Sequence, residues 1–261
     1  MLTKSNSSEL WDSSSWIAWH SSNWLSVLPF IPLYLLSLKI GVKFMTKRPA
    51  FQLDSVLAYY NAFLALFSLI GAWITGAEMI NVLISKGYHD SVCHNSYVLD
   101  ERVQFWNWLW TWSKLLEFCD TMFIILRKRP LTFLHVYHHS LTAFCAFYFW
   151  HTGLPMNRWT ITMNFIVHSL MYTYFSVHAM GYSIPQYIPI MVTTLQISQM
   201  VAGCGACSYA LYSKVFNHSC KLYHGQHIAI CQLTYISYAI LFAKIFHSKY
   251  LVKRKSRVKI Q

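Results

Sequence analysis

The sequence predicts an all-α, polytopic membrane protein built as a bundle of seven transmembrane helices. Hydrophobic residues make up 55% of the 261-residue chain and charged residues only 11%, whereas soluble domains carry roughly 25% charged residues. Apolar runs of about 20 residues, the length that crosses a bilayer, recur along the chain. With 9 Gly and 7 Pro, the chain is also unlike a fibrous or low-complexity protein.

Seven apolar segments are candidate spans: 24–44, 56–74, 103–126, 131–150, 157–178, 185–212 and 227–251. Each should be helical because backbone groups in lipid must be hydrogen-bonded within the segment. The chain then divides into a lumenal N-terminal segment (1–23), a membrane domain (24–251) and a basic cytosolic tail (252–261). Two long lumenal loops, 75–102 and 213–226, separate the second span from the third and the sixth from the seventh.

Basic residues near the span ends predict the orientation. Such residues follow the first, third and seventh spans, and those after the third are Arg127, Lys128 and Arg129. These loops share one side, so we expect a lumenal N-terminus and a cytosolic C-terminus. The two glycosylation sequons, at Asn6 and Asn217, then fall on the lumenal side. The net charge of +12 marks cytosolic loops in such a chain, and we expect no nucleic-acid partner.

Two cysteines, Cys93 and Cys220, lie in the two predicted lumenal loops. The lumen is an oxidising compartment, so we predict a disulfide between them that ties the second and third spans to the sixth and seventh. The alternative is a pair of free thiols.

Ionisable residues inside a membrane span are costly and mark either tightly paired contacts or functional sites. The third span carries Lys114, Glu117 and Asp120, spaced three residues apart along one helical face. Lys114 and Glu117 can pair on that face. The pattern is compatible with an internal ion pair that locks helices together, or with a polar stripe that lines a chamber.

A second polar group opens the fourth span, where His135, His138 and His139 lie on adjoining parts of one helix face. Polar residues continue on the next two spans. The fifth has Asn164, His168 and Tyr172 at i, i+4 and i+8, and the sixth has Gln196 and Gln199. So many polar side chains in apolar segments predict a site near the cytosolic surface.

The histidine cluster admits two chemistries. One is iron binding, as in membrane desaturases and hydroxylases, but two iron ions need about eight ligands, and no carboxylate follows Asp120. The other is acyl transfer, in which a neutral imidazole acts as nucleophile or base on an already activated thioester. A transporter or receptor would explain the spans but not histidines beside a basic trio suited to phosphates. We expect no metal and no cofactor.

Four motifs resemble those of ELO-type very-long-chain fatty acid elongases, the 3-oxoacyl-CoA synthases of the endoplasmic reticulum. In sequence order, the matching residues are Lys114, Glu117, Asp120 and Thr121 for KxxExxDT; His135, His138 and His139 for HxxHH; Asn164, His168, Met171, Tyr172 and Tyr174 for NxxxHxxMYxYY; and Gln196 and Gln199 for TxxQxxQ. Phe175 replaces the last Tyr of the third motif. The residues around 67–93 and 162–164 look most like the branch that acts on saturated and monounsaturated acyl-CoAs.

The resemblance implies a seven-helix bundle around an acyl tunnel and a condensation of acyl-CoA with malonyl-CoA to give 3-oxoacyl-CoA, CO2 and CoA. It implies that His138 is the nucleophile, or alternatively a general base. His135 and His139 would orient or deprotonate, and His168 with Asn164 would stabilise oxyanions. The expected substrate-binding residues are Lys114, Glu117, Asp120, Tyr172, Gln196, Gln199, Arg127, Lys128 and Arg129. Expected partners are a second copy and the reductases and dehydratase of the elongation cycle.

Overall fold

A computed structural model describes residues 12–150 and 152–252, and the secondary structure within these ranges is helical throughout. The helices are α1 (Ser13–Asn23), α2 (Phe30–Met45), α3 (Asp54–Cys93), α4 (Glu101–Leu116), α5 (Phe118–Leu126), α6 (Phe133–Trp150), α7 (Met156–Ala179), α8 (Tyr187–Phe216) and α9 (Gly225–Phe246). Short 3-10 turns cover Trp24–Val27 and Ser96–Leu99, and a π turn, His247–Val252, extends α9. The all-α prediction is confirmed.

Four helical segments are long and apolar enough to cross a membrane, namely 13–45, 54–93, 187–216 and 225–252. The chain is thus a multi-pass membrane protein. The helices between α3 and α8 are shorter or richer in ionisable and amide side chains, which lowers their hydropathy. That these helices cross the membrane stays a prediction from the sequence, and so does the total of seven membrane spans.

Helix starts are set by local side chains. Asp100 accepts a hydrogen bond from the Arg102 backbone N–H at 3.0 Å and caps α4, and the Thr132 hydroxyl accepts from the His135 N–H at 3.3 Å in α6. The Arg102 guanidinium also donates to the Asp100 carboxylate at 3.1 Å. This hydrogen bond is the main reason that the pKa of Asp100 lies below its ordinary value.

Helix α3 corrects the prediction of a long loop from residue 75. The helix continues to Cys93 and is interrupted only at Gly87, where φ is 82°, a backbone conformation that favours glycine. Within this extension, the carboxylate of Glu78 pairs with Arg158 through two bonds of 2.9 Å, which compensates the charge of Glu78. Asp90 and Cys93 are therefore helical residues.

Two further boundaries differ from the prediction. The N-terminal segment contains helix α1, which is anchored where His20 Nε2 donates to the Phe147 carbonyl at 2.7 Å. The third span, predicted as one helix over 103–126, is interrupted at Glu117, which separates α4 from α5. There the Leu116 carbonyl accepts a hydrogen bond from the Tyr60 hydroxyl at 3.2 Å, which compensates for the interruption.

One end of the bundle, called the disulfide end, is held by a disulfide between Cys93 of α3 and Cys220 of the α8–α9 loop. The structure thus contains the predicted disulfide. Nearby, the buried Arg158 side chain donates to the Ser91 and His94 carbonyls at 2.8 Å each, in addition to its pairing with Glu78. These contacts fix the end of α3 against α7, the helix with which α3 makes its most extensive contact.

The opposite end, called the basic end, carries residues 127–129. Here the Phe51 N–H donates to the Leu126 carbonyl at 3.0 Å, and Arg127 forms an ion pair with Asp54. These two contacts hold the α2–α3 connection against the end of α5.

Close helix approach shapes the interior between the two ends. Gly203 of α8 faces the Tyr235 ring of α9 so closely that a Cβ at residue 203 would overlap the ring. Glycine here lets α9 bring Tyr235 into the core, where its hydroxyl bonds the Thr160 hydroxyl of α7 at 2.8 Å. Helices α7, α8 and α9 therefore meet around one aromatic side chain.

Candidate functional site

The three histidines of α6 lie together in the structure, as their spacing predicts. The rings of His135 and His139 are 4.3 Å apart between centroids, and those of His138 and His139 are 5.5 Å apart. His139 is buried. The cluster is thus a compact group of imidazoles inside the bundle, close to the N-terminal end of α6.

A hydrogen-bonded chain reaches His135 from outside α6. The Thr121 hydroxyl of α5 lies 2.8 Å from His135 Nε2 and 2.7 Å from the Tyr34 hydroxyl of α2. Tyr34 is itself buried and stacks on Phe118, with the ring centroids 4.1 Å apart. The orientation of the His135 ring is thereby tied to two other helices.

His138 borders a cavity of about 70 Å3 between α4, α6, α7, α8 and α9. The polar and aromatic side chains around the cavity include Trp110, His138, Asn164, Gln199, Tyr235 and Tyr238. Its wall also contains apolar side chains such as Ile161 and Met200. A concave, mostly apolar space with a few converging polar groups is the usual form of a small-molecule site.

Helix α9 closes the cavity beside His138 through hydroxyl contacts. The Tyr238 hydroxyl bonds the Thr142 hydroxyl at 2.8 Å and donates to the His138 carbonyl at 3.3 Å. The rings of Tyr238 and His138 are 4.9 Å apart. The His138 backbone and ring are both held from the α9 side.

Next to the cavity lies a buried ion pair. Lys114 Nζ contacts Glu117 Oε1 at 2.6 Å, and the two side chains are 2% and 4% exposed. Lys114 also donates to Asn164 Oδ1 at 2.9 Å, and His168 Nδ1 approaches Glu117 Oε1 to 3.6 Å. The internal ion pair therefore connects α4 to Asn164 and His168, two of the three polar residues of α7 predicted for the site.

Some of the other predicted residues lie around the ion pair and are not among the described residues that line the cavity. Tyr172 donates to the Asp120 carboxylate at 2.8 Å, which links α7 to α5. Gln196 donates to the Met171 sulfur at 3.2 Å, whereas Gln199, one turn later on α8, lines the cavity. The predicted polar residues of α7 and α8 thus divide into cavity residues and residues that join helices. The predicted stripe of Lys114, Glu117 and Asp120 is not among the described residues that line the cavity.

Sequence comparison identifies the family to which this arrangement belongs. A family model described as the GNS1/SUR4 family, ELO, matches residues 19–258. The chain belongs to the ELO family. It is 39% identical over 235 residues to very long chain fatty acid elongase 6 of Drosophila melanogaster, covering 89% of this chain and 74% of the relative. It is 35% identical over 239 residues to human very long chain fatty acid elongase 3, covering 91% and 88%.

One departure of this ELO-family chain from the motif pattern is structurally mild. Phe175, in place of a tyrosine, is 43% exposed, so its ring lies on the outer face of α7. A missing hydroxyl there removes no contact from the cavity.

At the basic end of this ELO-family chain, the three predicted CoA-binding residues have different surroundings. Arg127 is engaged by Asp54, while Lys128 and Arg129 are exposed. His135 follows within two residues of the start of α6, so the exposed cations lie near the histidine cluster along the chain. Of the two sequons, Asn217 is exposed at the end of α8, and Asn6 lies outside the described residues.

Sequence reasoning missed several aromatic residues of the site. These are Tyr34, Tyr60, Trp110, Tyr235 and Tyr238. The chain has 17 Tyr and 11 Trp, and in a membrane protein such residues also face lipid at the interfaces. Spacing alone does not separate the two groups, because only the packing of α2, α3, α4 and α9 brings these side chains to the site.

Among the described residues, no group of three or more His, Cys, Asp and Glu side chains is arranged to hold a metal ion. The polar groups that line the cavity beside His138 include hydroxyl, amide and indole groups, which suit hydrogen bonding to a carbonyl or an oxyanion.

Proposed function

We propose that this protein is the condensing enzyme of fatty acid elongation. It would join acyl-CoA and malonyl-CoA to give 3-oxoacyl-CoA, CO2 and CoA, with His138 as the nucleophile. The observation that carries the proposal is the position of His138 on the wall of a largely apolar cavity that also exposes Asn164 and Gln199. Membership of the ELO family and relatives named as very long chain fatty acid elongases support it.

In the first half-reaction, a ring nitrogen of neutral His138 attacks the thioester carbonyl. The carbon–sulfur bond breaks, the CoA thiolate leaves and takes up a proton, and an acyl-imidazole remains. The His139 ring lies 5.5 Å from the His138 ring between centroids, and the His135 ring lies 4.3 Å from that of His139. These two histidines would orient His138 and relay its proton to the thiolate. A thioester is already activated, so an imidazole nucleophile suffices.

In the second half-reaction, malonyl-CoA loses CO2 as the bond to its carboxylate breaks, and the electron pair forms an enolate. The enolate carbon attacks the acyl carbonyl, the carbon–nitrogen bond to His138 breaks, and 3-oxoacyl-CoA is released. His138 takes up one proton as this bond breaks, and that proton replaces the one that went to the CoA sulfur in the first half-reaction. One proton is therefore consumed overall. His168 and Asn164 would stabilise the negative oxygens that develop in both steps.

The competing mechanism keeps His138 as a general base during direct transfer from acyl-CoA to the malonyl carbon. Rapid quenching of the enzyme with labelled acyl-CoA alone distinguishes the two. The nucleophilic mechanism requires a label bound to a peptide that contains His138, and the direct mechanism leaves this peptide unlabelled.

The substrates that we propose are long-chain saturated and monounsaturated acyl-CoAs. The composition of the cavity wall supports an acyl-chain substrate, since Ile161, Met200 and Phe149 contribute apolar surface. Exposed Lys128 and Arg129 at the basic end would bind the CoA phosphates. An endoplasmic reticulum membrane with this end in the cytosol would give both CoA substrates access, and association with a second copy or with the reductases and dehydratase of the cycle is part of the same proposal.

The test is incorporation of labelled malonyl-CoA into 3-oxoacyl-CoA by purified protein, across acyl-CoAs of different length and unsaturation. We expect CO2-releasing condensation that persists with an iron chelator and is lost in His138→Ala. His178→Ala is the matched control, because this histidine is exposed near the end of α7. Absence of condensation with every acyl-CoA would refute the proposal, and so would activity that requires iron and O2, as the desaturase alternative predicts.

A further inference from the structure

The orientation of the Asn164 amide is decided by its partners. Its Oδ1 accepts hydrogen bonds from Trp110 Nε1 at 2.7 Å and from Lys114 Nζ at 2.9 Å. An indole N–H and an ammonium group can only donate, so the atom between them has to be the oxygen. The amide nitrogen is therefore the end of the side chain that remains available to donate elsewhere.

This amide belongs to the wall of the cavity that His138 also lines. Asn164 is 6% exposed, and no hydrogen bond from its amide nitrogen to another described residue is found. A buried NH2 group without a protein acceptor, beside a cavity, is a donor prepared for a ligand oxygen.

We propose that Trp110 is a positioning residue which, together with Lys114, fixes Asn164 so that its NH2 group donates to the acyl oxygen during condensation. The inference rests on the proposed function. It adds an indole N–H on α4 to the machinery and specifies which end of the Asn164 amide faces the reaction.

The physical reason for two donors is rigidity. An amide without these two donors could rotate and present its oxygen to the developing oxyanion. The two oxygens would then repel each other. Donors that are already oriented stabilise charge without reorganisation during the reaction, which makes them effective in a buried site. Lys114 is in turn held by Glu117 at 2.6 Å, so the support of Asn164 extends through the ion pair.

Trp110 offers the cleanest perturbation of this arrangement. Changing Lys114 would also break the ion pair, whereas Trp110→Phe removes the N–H and keeps an aromatic ring in a core cluster with Ala146, Ile161 and Phe165. Trp106→Phe is the matched control. Trp106 lies one turn earlier on α4 and packs on the same cluster, with its ring 6.2 Å from that of Phe165.

The experiment measures kcat and KM for acyl-CoA and malonyl-CoA. We expect Asn164→Ala to lower kcat about 100-fold, in the range of a lost oxyanion donor, and Trp110→Phe about 10-fold, with both KM values within about twofold of wild type. Trp106→Phe should match wild type. The Trp110→Phe/Asn164→Ala double variant should be no slower than Asn164→Ala alone, because phenylalanine keeps an aromatic ring on the cavity wall and removes only the N–H that acts through Asn164.

Two results would overturn the positioning role in an active enzyme. One is a Trp110→Phe variant as fast as the Trp106→Phe control, and the other is a double variant whose two losses multiply. If Trp110→Phe does not fold, Asn164→Asp decides instead. It keeps an oxygen for Trp110 and Lys114 but lacks the NH2 group, so we expect it to be as slow as Asn164→Ala, and retained activity would contradict the inference. A wild-type protein that forms no product would instead refute the proposed function itself.

Discussion

The buried pair of Lys114 and Glu117 makes a strong prediction about stability. In Lys114→Met, a side chain of similar length without charge leaves the Glu117 carboxylate, 4% exposed, without its ammonium partner at 2.6 Å. Removing one member of a buried pair costs about 3–5 kcal/mol, because the other charge stays buried without compensation. We therefore expect a loss of this size in the free energy of unfolding.

The double variant Lys114→Met/Glu117→Gln tests the reason for that loss. With neither charge present, the desolvation cost of the carboxylate also disappears, and neutral replacements of similar volume are often close to neutral in stability. The double variant should therefore recover most of the stability lost in Lys114→Met. The control is Lys86→Met, an exposed lysine of α3, whose loss should change stability by no more than about 0.5 kcal/mol.

The assay is denaturant unfolding in mild-detergent micelles, followed by tryptophan fluorescence. A loss below about 1 kcal/mol in Lys114→Met, equal to that of the Lys86→Met control, would refute the reasoning. A double variant less stable than Lys114→Met would refute it as well. Either result would mean that water or another cation compensates Glu117.

Three further predictions follow from other parts of the structure. Asp100→Ala should cost about 1 kcal/mol through loss of the α4 cap, while Asp100→Asn, still a good cap, should cost less. Because Arg102 lowers the pKa of Asp100, the charge contributes stability above its ordinary pKa of about 3.9. That contribution is lost as pH falls through the folded-state value, so wild type and Asp100→Asn should converge in thermal unfolding measured at falling pH. Charge reversal of Lys128 and Arg129 should raise KM for both CoA substrates severalfold and affect kcat less, and unchanged KM values would exclude these residues from CoA binding. Gly203→Ala should lower stability by about 1–3 kcal/mol by overpacking α9, which unfolding in detergent measures, and wild-type stability would show that the helices separate freely.

Much of the site was predictable because helical spacing is regular. Residues three and four apart share a face, so the grouping of His135, His138 and His139 followed from the sequence alone, as did the possibility of a Lys114–Glu117 pair. The assignment of residues on different helices to a single active site depended on the motif resemblance, because helical spacing relates only residues of the same helix. The cavity that His138 shares with Asn164 depends on how the tertiary structure brings α4, α6, α7, α8 and α9 together around it.

At both wrongly predicted boundaries, the helix makes a contact with a residue that is distant in the sequence. The second span was predicted to end at residue 74, but α3 continues to Cys93, and Glu78 within this extension pairs with Arg158, 80 residues later. Glu117 looked like one charge in a continuous span, but the helix is interrupted there and Tyr60 compensates the Leu116 carbonyl. No window of sequence contains both partners of either contact.

The sequence by itself determined the membrane class, the helical content and the identity of the polar residues, because hydropathy and period are properties of neighbouring residues. The tertiary structure decided which polar groups meet. It alone places the indole of Trp110 and the ammonium of Lys114 on one oxygen of Asn164 and brings the Tyr238 hydroxyl to the backbone of His138. Hydrogen bonds between helices depend on distances of a few tenths of an ångström, which only the packing of whole helices sets.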